Sequence, residues 1–173
     1  MWDDETQFYY DLDKDENRLS TKTIAAYWTL LAEIPNADKA DFLVNHLNNP
    51  ESFGTEQPFP TLSVDNPNFS EDGNGYCGSV YPAFNFMVIK GLEKYGQYEL
   101  ARECSIRHLY FVLESLMPNN DKEPGDLFEA YLPNKEGCAK ISADGTMARK
   151  RFLHTTALST IALMIENVIG LSI

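Results

Sequence analysis

The sequence predicts an all-α fold: antiparallel helical hairpins forming part of a toroid, with long loops that carry the site. Three observations support this. Apolar residues recur at helical spacing in about five stretches. The linkers between those stretches alternate short and long. The long linkers hold many of the aromatics and an isolated glutamate, Glu129. Alternation of this kind gathers the long loops on one face of a rigid scaffold, where binding residues collect. At 173 residues the chain reads as a single domain, 1–173, able to bury a sizeable core.

The opening, Gln7 to Asp13, is aromatic and extended in character, and Lys14 to Asn17 supplies turn chemistry, so a short hairpin or irregular loop fits. A first helix is expected from Thr21 to Glu33, with Ile24, Tyr27, Trp28, Leu30 and Leu31 on an apolar stripe that places Trp28 in the core; Pro35 ends it. Asn36 reads as the N-cap of a second helix, Ala37 to Asn48, with Asp38 favourably placed in its first turn. From Asn49 to Gly78 prolines and glycines remove any helical period. The aromatics Phe53, Phe59, Phe69 and Tyr76 mark this long loop as functional rather than disordered.

A third helix is expected from Pro82 to Tyr95, with proline in its first turn and Gly96 at its end. A fourth follows from Tyr98 to Met117, stopped by Pro118. Asp121 to Pro124 reads as polar loop, Asn134 to Lys150 as a second glycine-containing loop, and Phe152 to Ile169 as the last helix, closed by Gly170. No internal repeat of solenoid type is visible.

Composition narrows the function classes. A net charge of −12 repels phosphate backbones and anionic membrane surfaces, so neither nucleic acid nor membrane is an expected partner; neutral sugars are compatible. Cys77, Cys104 and Cys138 form no CxxC pair and read as partly buried free thiols. His46, His108 and His154 have no metal-ligand spacing, His154 reads as a buried histidine, and no metal or cofactor is expected. The acidic start lacks the pattern of a secretory signal, and Glu166 and Asn167 interrupt the longest apolar run. The chain as written therefore reads as cytoplasmic.

The chemistry centres on Leu127-Phe128-Glu129-Ala130-Tyr131-Leu132-Pro133, a lone carboxylate between aromatics. Such a group can stay charged, face a pocket and take a proton from water; it can equally be a capping or salt-bridged glutamate. Tyr76, Tyr81 and Tyr131 read as either pocket or core aromatics. Asn85 reads as a donor to a hydroxyl or as the partner of a loop carbonyl.

Several segments occur in a telling order: Trp2-Asp3 with Phe8-Tyr9-Tyr10-Asp11, Asn49-Pro50 with Phe53-Gly54-Thr55, and Pro60-Thr61-Leu62-Ser63 with Asp65-Asn66-Pro67. Gly78, Pro82 and Asn85 follow, then Gly91 to Gly96, Glu129-Ala130-Tyr131 with Pro133, and Ile165 to Gly170. Together they resemble the C-terminal part of an (α/α)6-barrel glycoside hydrolase of the family 63, mannosylglycerate hydrolase type, and the resemblance spans essentially the whole chain.

That resemblance implies inverting hydrolysis of O-glycosidic bonds, expected in α-glycosides, with Glu129 as general base. Inversion needs an acid about 6.5–9.5 Å away, leaving room for the attacking water. The family's acid lies upstream, in an N-terminal half expected to be missing here. Phe53, Tyr76, Tyr81, Asn85 and Tyr131 are the implied substrate-binding residues, and a carbohydrate is the implied substrate. The implied protein partner is the N-terminal half of the barrel or a second copy, because an open half-toroid would expose apolar helix faces.

The chain also departs from the family pattern. Cys77 stands where the family has a sugar-binding arginine, Tyr81 where it has a tryptophan, and His154-Thr155 where a Gly-Trp pair is usual. These departures favour an alternative: a degenerate, non-catalytic helical domain for sugar binding or protein association. A toroid with epimerase, lyase or phosphorolytic chemistry is disfavoured by the few histidines and arginines.

Overall fold

The structure, a computed structural model, describes residues 1–117 and 125–171. The polar loop expected at Asp121 to Pro124, and Pro118 as a helix stop, lie outside the described residues. The N-terminus forms a two-stranded antiparallel hairpin, β1 (Trp2–Asp3) and β2 (Phe8–Tyr9), with Trp2 opposite Tyr9 and Asp3 opposite Phe8. The turn at Lys14 to Asn17 forms as expected: Leu12 bridges Arg18, and the Asp13 carboxylate accepts from the amides of Asp15 and Asn17 at 2.8 and 2.9 Å.

The first helix is shorter than its apolar stripe suggests. A 3-10 turn, Ile24–Tyr27, runs into a single α-turn, α1 (Trp28–Leu31). The threonines before it are extended instead, with Thr23 bridging Leu62 and the Ile24 amide donating to the Thr61 carbonyl at 3.1 Å. Thr23 makes no side-chain cap, and β-branched residues settle readily into such a pairing. Helix α2 (Ala37–Asn48) has the expected bounds, its first turn fixed by the Asn36 side chain accepting from the Lys39 amide at 3.0 Å. Its buried face is Ala40, Leu43 and Leu47.

Helices α3 (Pro82–Lys94) and α4 (Tyr98–Leu116) are joined by a short turn through Gly96, which takes a positive φ of 73°. Gly91 lets α3 lie close against α1: a Cβ there would sit 3.0 Å from the Leu30 Cβ and 3.1 Å from the Leu31 nitrogen. The last helix is continuous but not uniform. A π-helical turn (Leu153–Ala157) leads into α5 (Leu158–Leu163), and a second π turn (Met164–Ile169) runs to Gly170, at φ 82°. The Ser159 hydroxyl donates back to the Thr155 carbonyl, and Thr156 Oγ1 reaches out of the helix to the Phe128 carbonyl at 2.7 Å. Such side-chain competition loosens the regular ladder.

The main core joins the hairpin, α1 to α4 and Leu163 around Phe8, Tyr27, Leu30, Phe53, Phe59, Ile89 and Leu92. Two smaller clusters lie under the second long loop, one of Val80, Val112, Phe128 and Tyr131, the other of Ala130, Leu132, Ala139 and Ala148. All three cysteines are free thiols; Cys104 is buried and the other two half-buried. Among the described residues, no helix is long and apolar enough to cross a membrane.

Candidate active site

The two long connections, between α2 and α3 and between α4 and the last helix, are knitted together. Val80 and Tyr131 exchange backbone hydrogen bonds of 2.9 Å, and the Gln57 amide donates to the Pro133 carbonyl at 2.9 Å. The Gly75 amide donates to Lys140 and the Lys140 amide to Asp72, each at 2.9 Å. One crossing requires glycine: Gly75 has φ 68°, and a Cβ there would meet the Ile141 carbonyl oxygen at 2.8 Å.

Glu129 projects from this platform. Its backbone is fixed on both sides: its amide donates to the Arg149 carbonyl at 2.9 Å, and the preceding amide, of Phe128, donates to the Tyr131 hydroxyl at 3.1 Å. The carboxylate is held by a two-pronged ion pair, Arg149 Nε to Oε2 at 2.8 Å and Nη2 to Oε1 at 3.0 Å. The Glu129 side chain is 18% exposed, against 70% for Arg149, whose guanidinium lies 5.1 Å from the centre of the Phe152 ring. An ionised carboxylate offers about four lone-pair directions. The guanidinium takes two, so others remain for a water.

Aromatic rings lead away from this carboxylate. Tyr81 feels the charge of Glu129; burial first, then Tyr76 and Glu129, push its phenol up to about 12, so it stays a proton donor. Tyr76 stacks on Tyr81 with centroids 5.5 Å apart and planes 27° apart, and both rings contact Phe84, at 6.3 and 5.3 Å. Trp28 meets Phe84 edge-on at 5.7 Å. A pocket of about 290 Å³ lies between Trp28, Tyr76 and Phe84, floored by Ile24 and Ala25 and edged by Thr23 and Thr61.

Of the residues expected at the site, Tyr76 and Tyr81 stack on each other, and Tyr81 feels the charge of Glu129. The other three do not reach a cleft. Phe53 is fully enclosed, stacked on Phe8 at 5.8 Å and edge-on to Tyr27 at 5.5 Å, so neither face is open to a sugar. Tyr131 is also fully buried, and its hydroxyl closes the turn that carries Glu129. Asn85 is buried as well: its Oδ1 accepts from the Phe59 amide at 3.4 Å, while its Nδ2 donates to the Pro58 carbonyl and, at 3.1 Å, to His108 Nδ1.

Two core readings are reversed. Trp28 is 39% exposed, because the short α1 turns it toward Phe84 and the pocket. His154 is exposed and packs on Phe152 at 5.6 Å, whereas the next-but-one residue, Thr156, points inward. Sequence reading passes over Arg149, Phe84 and His108. Arg149 lies twenty residues from its partner in a polar loop and carries no local signal. Phe84 is masked by the helical stripe of α3.

The helices and the two long loops thus form part of a helical toroid, with Glu129 and the stacked Tyr76 and Tyr81 on its loops. The comparisons with known proteins agree. Residues 1–150 match the family described as mannosylglycerate hydrolase MGH1-like glycoside hydrolase domain, and the chain belongs to that family. An uncharacterized protein of Borreliella burgdorferi is 51% identical over 174 residues, covering 100% of this chain and 36% of that protein. The cytosolic neutral trehalase of Kluyveromyces lactis is 30% identical over 131 residues, covering 69% of this chain and 16% of the enzyme.

Among solved structures, the GH63 mannosylglycerate hydrolase of Thermus thermophilus in complex with Tris superposes with a TM-score of 0.73 at 22% identity, covering 93% of this chain and 34% of that one. Neutral trehalase Nth1 from Saccharomyces cerevisiae superposes at 0.68 and 17% identity, covering 95% of this chain and 28% of that one. These structures place the fold in the (α/α)6-barrel class. The chain spans about a third of the length of the first of the relatives it matches.

Proposed function

We propose that the chain is the site-bearing portion of an inverting glycoside hydrolase acting on α-glycosides, with Glu129 as general base. One observation carries this reading: the Glu129 carboxylate sits at the edge of the loop platform, partly open to water and within electrostatic reach of the Tyr81 phenol. Glu129 would take a proton from the water that attacks the anomeric carbon. Tyr81, held protonated, would donate to a sugar hydroxyl, and Tyr76 would offer a stacking face. The general acid would come from the two-thirds of the relatives' length that this chain does not span, about 6.5–9.5 Å away across the bound sugar. The protein is then expected to act in the cytoplasm together with that complementary portion of the barrel.

The test is reconstitution with the complementary portion of the 51% identical relative, followed by NMR of α-glycoside hydrolysis. Initial release of the β-anomer, lost by about 10³-fold or more in Glu129→Gln, is the expected result; general-base catalysis alone supplies 10²–10⁴. An initial α-anomer would refute inversion, and turnover unchanged in Glu129→Gln would refute the assignment of the base.

A second reading, a non-catalytic sugar-binding or association domain, is favoured by Arg149, which already occupies both oxygens of Glu129. Cys77 in place of the family's arginine points the same way. Sugar binding without turnover in the reconstituted protein is its signature.

A further inference from the structure

We propose that Arg149 is a latch on Glu129: in the resting chain its guanidinium closes over the carboxylate, and Glu129 is free to take a proton from water only when Arg149 swings away. The role of the latch rests on the reading of Glu129 as general base; its existence rests on geometry. Both carboxylate oxygens already accept from the guanidinium, Oε2 from Nε at 2.8 Å and Oε1 from Nη2 at 3.0 Å. A fork of this kind fixes the orientation of the carboxylate as well as pairing its charge. The flanks of the fork still leave room for a water. Arg149 is nevertheless the outer partner, 70% exposed against 18% for Glu129, so whatever approaches the carboxylate from solvent meets the guanidinium first.

The latch can open without disturbing the loops. Main-chain contacts join segments 127–129 and 149–152 on their own: the Glu129 amide donates to the Arg149 carbonyl at 2.9 Å, Phe128 bridges Lys150, and the Phe152 amide donates to the Leu127 carbonyl at 3.0 Å. The neighbouring acidic residue shows a carboxylate in a structural role. Asp126 accepts from the main-chain amides of Leu127 and Arg151 at 2.8 and 2.9 Å, while the Arg151 Nε stays 3.8 Å away. Glu129 instead gives its oxygens to a side chain that solvent surrounds. An ion pair so exposed yields readily to salt or to a competing group. The Phe152 ring, 5.1 Å from the guanidinium and met edge-on by His154 at 5.6 Å, holds the latch in its resting position. The aliphatic groove between α4 and the last helix, lined by Leu109, Val112, Leu113 and Ile161, needs only to be covered; the Arg149 pair is the exposed feature that has to move.

Carbodiimide-driven coupling of an amine to carboxylates, mapped by peptide mass spectrometry on the intact chain, reads the latch without any turnover. Glu129 should label slowly in the wild-type chain, faster in about 0.5 M salt, and about fivefold faster in Arg149→Gln with or without salt. Arg149→Lys keeps the charge but not the fork and should fall between the two. Asp126 should label alike in all three proteins, which reports an intact loop. In the reconstituted protein Arg149→Gln should raise kcat/KM by about threefold to fivefold, because molecules otherwise shut become competent. Glu129 labelling at one rate in wild type and Arg149→Gln would overturn the latch and leave the glycoside reading standing. A fall in kcat at unchanged KM would overturn it too, making Arg149 a group that positions the base. Faster labelling with no turnover in either protein would refute the glycoside reading, and the role of the latch with it.

Discussion

His108 lies fully buried between α3 and α4, with its Nδ1 accepting from Asn85 Nδ2 at 3.1 Å and facing Gln57 Nε2 at 3.5 Å. Those donors place its proton on Nε2, which, like Gln57 Oε1, has no hydrogen-bond partner among the described residues. Burial pushes His108 down to about 4, from an ordinary value of 6.5. The folded state therefore prefers the neutral ring. The stability this represents is fully present above pH 6.5 and is lost as pH falls toward 4, amounting to about 3 kcal/mol. Half-buried His46, lowered chiefly by burial, acts in the same direction. Urea titrations should show stability falling across pH 6.5 to 4, and His108→Gln should flatten most of that slope. Equal slopes in both proteins would refute the role. Tyr131 makes a related point: its ring reads as a site aromatic in the sequence, yet its hydroxyl serves the turn. Tyr131→Phe strands the buried Phe128 amide, and a loss of about 1–3 kcal/mol in chemical denaturation is expected.

Among the elements, the contact between α1 and α3 depends on Gly91. Alanine would ordinarily favour a helix interior by about 1 kcal/mol. Here the added Cβ would press on the Leu31 backbone nitrogen at 3.1 Å, which cannot swing aside as a flexible side chain could. Overpacking should outweigh propensity, and Gly91→Ala should lower stability by about 1 kcal/mol or more, read as a fall in the urea midpoint. A rise in the midpoint would mean that α1 yields easily.

The same elements show what is legible in a sequence. Helix α2 and both ends of α3 carry their own signals in Asn36, Pro82 and Gly96, and their bounds follow from them. The first helix carries an apolar stripe but no cap, and pairing of Thr23 with Leu62, far along the chain, takes its first turn. The aromatics of the first long loop are similarly ambiguous: their identity marks the segment as ordered, and only packing decides that Phe53 and Phe59 belong to the core while Tyr76 stands open.

Across the whole molecule, the outer side of the last helix and the adjoining face of α4 are apolar and open. Leu158 is 70% exposed, and Leu113, Ile161 and Met164 line or edge the aliphatic groove with large exposed fractions. Such a face is expected to be covered by another part of the protein, and the relatives have further length that this chain does not span. The charge of −12 opposes pairing of two copies, more so at low salt. Replacing Leu113 and Ile161 by glutamate should leave the stability of the chain within about 1 kcal/mol, because neither is core. It should abolish assembly with the complementary portion, measured by native mass spectrometry; assembly that survives would place the interface elsewhere.

By itself the sequence determined the helical class, the short and long alternation, the family resemblance and Glu129 as the residue to watch, because each is written in local spacing or in ordered motifs. Tertiary structure alone decided which aromatics stand open and which are core, that Arg149 grips Glu129, and that Trp28 opens onto a pocket. Those outcomes depend on contacts between residues dozens of positions apart, where a side chain's surroundings are set by the meeting of two loops and a helix and not by its neighbours in the chain.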